Sequence, residues 1–189
     1  MSKTRRIHDD LEYVGGIVRR SEGGSPFSIY LLWALMVLVG FSLVDFAPHR
    51  VGIFWLVGGP LGGAASAWLG YRHSRRIGQL SREEGFRHLW HWGGMMTAIL
   101  LAVPLAHVSG AVDWSALSRV ILLIIALSYF LAGVHLERPL RWIGALMMAG
   151  YAALFFMTSY GWTLVGILVA TGLIVSGSLE RHRGAPADR

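Results

Sequence analysis

Residues Phe27–Phe46 read FSIYLLWALMVLVGFSLVDF, twenty residues whose single charge, Asp45, stands next to the end. At a rise of about 1.5 Å per residue a helix of this length reaches about 30 Å, the thickness of a bilayer's hydrocarbon core. Nothing in the run demands water. It predicts a transmembrane helix, and the rest of the chain repeats the pattern.

Working outward, five more apolar runs follow at Val51–Tyr71, Leu89–Val108, Leu117–Leu136, Trp142–Thr158 and Gly161–Leu179. The expected fold is therefore an all-α integral membrane protein with six transmembrane helices. Very short connections at Ala47–Arg50, Ser109–Ala116 and Ser159–Tyr160 would make them three antiparallel hairpins. Composition agrees. Of 189 residues 54% are hydrophobic and 15% charged, with a mean hydropathy of +0.51, whereas soluble domains are about a quarter charged. The division expected is an N-tail (1–26), a membrane domain (27–179) and a C-tail (180–189). No cleavable signal peptide is expected, because the first apolar run is long enough to span and lacks a small-residue cleavage site.

The basic residues are distributed unevenly. Lys3, Arg5, Arg6, Arg19 and Arg20 precede the first run. Arg72, Arg75, Arg76, Arg82 and Arg87 follow the second, Arg138 and Arg141 follow the fourth, and Arg181, Arg183 and Arg189 end the chain. That puts 15 on one side against Arg50 and Arg119 on the other. The positive-inside rule then predicts both termini in the cytoplasm of a bacterial cell, with the chain in the inner membrane. Seven tryptophans, from Trp55 to Trp162, fall near predicted span ends, as an aromatic belt requires.

In the N-tail, Ile7, Leu11, Val14 and Val18 recur at helical spacing between charges of both signs. This predicts a short amphipathic helix before the first span. Its stripe could rest on the bilayer surface or dock into a protein partner's groove. Gly23-Gly24-Ser25-Pro26 ends it.

The second run carries Gly58-Gly59-Pro60-Leu61-Gly62-Gly63. Gly58, Gly62, Ser66 and Gly70 form one ridge of small residues at i, i+4 spacing, and Gly59 and Gly63 belong to a second. Such ridges let helices approach closely in lipid. The same residues could instead break the helix and expose backbone dipoles to a solute, as in transporters. Pro104 is a candidate second break.

Ionisable residues avoid the middle of the runs. Asp45, His49 and Arg119 form an expected outer charge cluster, in which Asp45 pairs with Arg119 or Arg50. His107 and Asp113 lie at the same boundary. His88, His91, His135 and Glu137 lie at the cytoplasmic one. His88 and His91 share a helix face, and with His135 and Glu137 they are the candidate metal ligands. The spacing lacks the histidine pair four apart that a metalloprotease needs. Cysteine is absent, which excludes disulfides and thiolate chemistry. No nucleotide loop or nucleophile elbow is present. Catalytic residues and cofactors are therefore not expected. The arginines are spread over four segments and suit orientation and anionic lipid better than nucleic acid.

Asp10-Leu11-Glu12-Tyr13-Val14, the Gly58–Gly63 run and the layout around them resemble the small six-span inner-membrane proteins of bacteria. The resemblance implies no functional residues. The expected function is that of a non-enzymatic accessory or partner-binding component, in contact with the lipid bilayer and through the N-tail with a protein. A small transporter or channel is the first alternative, and a membrane-embedded metal-dependent enzyme the second.

Overall fold

A computed structural model of the chain describes residues 25–78, 82–109 and 113–183. They form six helices: α1 (Phe27–Phe46), α2 (Pro48–Ile77), α3 (Arg82–Ser109), α4 (Trp114–His135), α5 (Pro139–Ala153) and α6 (Gly161–Arg183). No strand occurs among these residues. The stripe of Ile7, Leu11, Val14 and Val18 lies outside the described residues.

The helix ends follow local chemistry. Pro26 is extended before α1, and Pro48 and Pro139 open α2 and α5 where their missing N–H groups are not needed. Asp113 caps α4 by accepting from the Ala116 amide at 2.6 Å. Gly78 ends α2 in the left-handed conformation, φ +72°, which glycine adopts without the Cβ clash other residues meet.

Among the described residues four helices, not six, are long and apolar enough to cross a membrane: α1, α2 over Pro48–Arg76, α4 over Ser115–His135, and α6 over Gly161–His182. This corrects the six-span expectation. The fifth run was expected to continue to Thr158, but its helix stops at Ala153 and the chain turns over Leu154–Phe156. Its 15 residues reach about 22 Å. Helix α3 is long, but its first turns hold Arg82, Glu83, Glu84, Arg87, His88 and His91.

The three expected hairpin pairs, α1–α2, α3–α4 and α5–α6, are in contact, but the most extensive packing joins α1 to α6 and α4 to α5. On α1, Tyr30, Ala34, Val37 and Phe41 form the inward stripe and share one core cluster with Val165, Val169, Ala170 and Leu173 of α6. Gly166 and Gly177 let α6 sit against the Cβ atoms of Phe41 and Tyr30. Between α4 and α5 the backbones themselves meet. A Cβ on Gly144 would strike the backbone of Ala126 and Phe130, and one on Gly133 the backbone of Arg141. In lipid such close packing must supply the association that hydrophobicity supplies in water. Helix α2 is peripheral, with 11% of its apolar window buried against 33% for α4 and α6.

Candidate functional site

The polar side chains of the bundle gather at two ends. At the first, α1 begins, α3 begins and α4 finishes. The four residues that the sequence set at one boundary, His88, His91, His135 and Glu137, lie here, with only His88 in contact with Glu137. The structure adds Ser25, Tyr30 and Ser128.

Glu137 sits in the turn between α4 and α5, with its side chain only 14% exposed. It receives the Ser25 hydroxyl at 2.5 Å and the Ser25 amide at 3.3 Å. The Tyr30 hydroxyl donates to it at 3.2 Å, and His88 Nε2 lies 3.4 Å away. The second imidazole nitrogen of His88, Nδ1, faces the Glu84 carbonyl at 3.0 Å. Carbonyls and carboxylates only accept. Both nitrogens of His88 therefore have a use for a proton, and the arrangement is satisfied when His88 is an imidazolium beside an ionised Glu137. Burial pushes Glu137 toward its neutral form, but the hydrogen bonds from His88 and Ser25 outweigh it and hold the carboxyl below the usual range. The bond to Glu137 raises His88 above its ordinary value, against a smaller opposing effect of burial.

A second hydrogen-bonded group lies beside the first. His91 Nε2 points at the Ser128 carbonyl at 3.0 Å and so carries a proton. Its Nδ1 is then free to accept from His135 Nε2 at 3.2 Å. Burial lowers His91, which suits this neutral role. Trp92 packs edge-on against both His91 and Tyr129. The four candidate metal ligands thus divide into a His88–Glu137 pair and a His91–His135 pair. Among the described residues no group of three or more such side chains is placed to hold a metal ion.

At the other end the expected charge cluster does not form. Asp45 reaches Thr163 instead, accepting from its amide and its hydroxyl, each at 2.7 Å. It caps α6 from the end of α1, because the first-turn amides of α6 have no partner within their own helix. No ion pair joins Asp45 to Arg50 or Arg119 among the described residues. Arg119 lies over the Phe155 ring, 5.1 Å from its centre, and its Nε is buried without a hydrogen-bond acceptor. His49 is exposed.

The small-residue ridge of α2 faces α1. Gly58 lies under the Met36 methyl and Gly62 under the Trp33 ring, while Ser66 accepts from Trp33 Nε1 at 2.9 Å. Gly70 is just within reach of Ile29, Gly59 approaches Met96, and Gly63 meets nothing within 4 Å. Helix α2 runs through Pro60 without interruption, as α3 does through Pro104.

Sequence reading missed Ser25 and Tyr30, the first taken as linker and the second as one more apolar-span residue. A hydroxyl one turn inside the basic end of a span was the available signal. Compared with known protein families, curated proteins and solved structures, the chain matches none.

Proposed function

We propose that this chain is an integral protein of the bacterial cytoplasmic membrane, with its basic end in the cytoplasm, acting as a non-catalytic, partner-binding component. The observation that carries the reading is the core, where apolar side chains meet one another and no polar or charged residue is buried among the described residues. A solute pathway needs polar groups at mid-depth, and here they lie at the ends. Large apolar residues such as Ile53, Leu56, Val57 and Leu61 are exposed along α2, which suits lipid and not water. The Glu137 network ties Ser25, the residue where the N-tail meets α1, to the α4–α5 turn. It gives the tail a fixed point of exit on the cytoplasmic side, from which its apolar stripe can reach a partner.

Two measurements test this. Proteoliposomes with imposed proton, sodium and potassium gradients should show no flux above empty vesicles. Photo-cross-linkers at positions 7, 11, 14 and 18 should give discrete protein adducts in cells, and deleting residues 1–22 should remove the same proteins from those that copurify with the inserted chain. Gradient-driven flux that Gly62→Leu abolishes would favour transport and overturn the reading.

A further inference from the structure

We propose that the cleft between the start of α1 and the end of α6 is a binding site for the phosphodiester headgroup of an anionic phospholipid. The cleft has a volume of about 310 Å³ and is lined by Phe27, Ser178, Arg181 and His182. Three of the four offer hydrogen-bond donors to a phosphate: a hydroxyl, an imidazole and a guanidinium fork that matches phosphate oxygens two at a time. Phe27 supplies an apolar wall on one side. Glu180, the nearest acid in sequence, is not among the lining residues.

Depth decides between a lipid and a free anion. Phe27 is the first residue of one candidate span and His182 the last of another. The cleft therefore lies where hydrocarbon gives way to headgroups. A phosphate there can be held by Arg181 and His182 while its glycerol and acyl chains continue down past Phe27, which inorganic phosphate cannot exploit.

The rest of this end is built in the same style. Arg72 lies over Trp68 at 5.3 Å, Arg82 over Phe86 at 5.6 Å, and Arg141 over Trp142 at 5.3 Å. Each pair is an aromatic ring at interfacial depth with a cation on its face. These stacks occupy one face of each guanidinium and leave its N–H edge for headgroups. They form a general anionic-lipid belt, in which the α1–α6 cleft adds walls.

The inference rests on the reading of α1 and α6 as spans. The test uses the full-length protein, purified in a mild detergent and titrated with phosphatidylglycerol, phosphatidylcholine or sodium phosphate, with bound lipid counted by native mass spectrometry. The wild type should retain phosphatidylglycerol well above phosphatidylcholine, and sodium phosphate at equal concentration should not displace it. Near an anionic surface each basic residue contributes enough to change binding about five-fold. Arg181→Gln with His182→Gln should therefore weaken the tightest phosphatidylglycerol at least five-fold. Arg72→Gln, a matched loss of charge outside the cleft, should leave that lipid in place. Equal losses in the two variants would mean diffuse attraction and would overturn the cleft. Unchanged binding in the double variant, or full displacement by phosphate, would overturn it too. Failure of the underlying reading looks different: the chain would then leave the membrane fraction on alkaline carbonate washing.

Discussion

Replacing Glu137 should loosen the end of the bundle where Ser25, Tyr30 and His88 meet it. The carboxylate holds two donors of Ser25, the Tyr30 hydroxyl and His88 at 2.5 to 3.4 Å. Truncating one member of a buried charged network leaves its partners desolvated and typically costs about 3–5 kcal/mol. Two facts reduce that here. Three of the four contacts exceed 3.1 Å, and the His88 side chain is 41% exposed, so solvent screens its share. We expect Glu137→Ala to lose about 2–4 kcal/mol, most of it from Ser25 and Tyr30. Glu137→Gln should lose about 1–2 kcal/mol, since its amide oxygen still accepts while its NH2 group faces a donor. For a protein of this size 1 kcal/mol moves Tm by about 2–4 °C. The drop should therefore be about 4–16 °C for alanine and about 2–8 °C for glutamine, followed by tryptophan fluorescence in detergent. Shifts below about 1 °C in both variants would refute the account of Glu137 as the tie.

The same pair predicts a pH profile. Glu137 is held below the usual carboxylate range, so its contribution is present above that range and is lost as pH falls through the lowered value. His88 is raised, so its contribution is full below about 6.5 and is lost as pH rises through the raised value. The Tm of the wild type should peak between about pH 5 and 6.5, and Glu137→Gln should flatten both flanks. Asp45→Ala should cost about 1 kcal/mol by uncapping α6, with Asp45→Asn recovering most of it; an Asp45→Ala effect that vanishes in an Arg119→Ala background would restore the ion pair instead. Gly144→Ala should destabilise by about 1–3 kcal/mol through the α4–α5 backbone contact, while Gly63→Ala, which meets nothing, should be neutral; equal thermal shifts would contradict the packing described. Cytoplasmic reporters fused after Ser81 and Arg189 should be active; inactivity at either site would undo the proposed orientation.

Much of the secondary structure was legible because apolar runs and helix punctuation are local signals. Phe27–Phe46 forms α1 with the bounds read from the sequence, whereas α2 runs from Pro48 to Ile77, past both ends of the Val51–Tyr71 run, because Pro48 and Gly78 set its limits. The clustering of His88, His91, His135 and Glu137 at one boundary was legible too, since each lies at the basic edge of an apolar run. How they pair was not. Imidazole and carboxylate partners depend on which helices are neighbours, and that is a long-range property. Asp45 shows the same limit: its expected complements by charge were Arg119 and Arg50, but it reached the first turn of α6 at Thr163 instead.

The sequence by itself determined that this chain is helical, that its helices are apolar enough to suit lipid, and that its cations concentrate at one end. These follow from composition, period and the order of residues along the chain. The tertiary structure alone decided that α1 packs on α6 and α4 on α5, that α5 stops short at Ala153, and that Glu137 ties Ser25 and Tyr30 to His88. The physical reason lies in the glycines. The ridge visible in sequence, Gly58 to Gly70, meets side-chain tips of α1. Gly133 and Gly144, which stand in no conspicuous motif, are where two backbones touch. A glycine's role depends on what lies opposite it, and in this bundle that is set by residues far away in the chain.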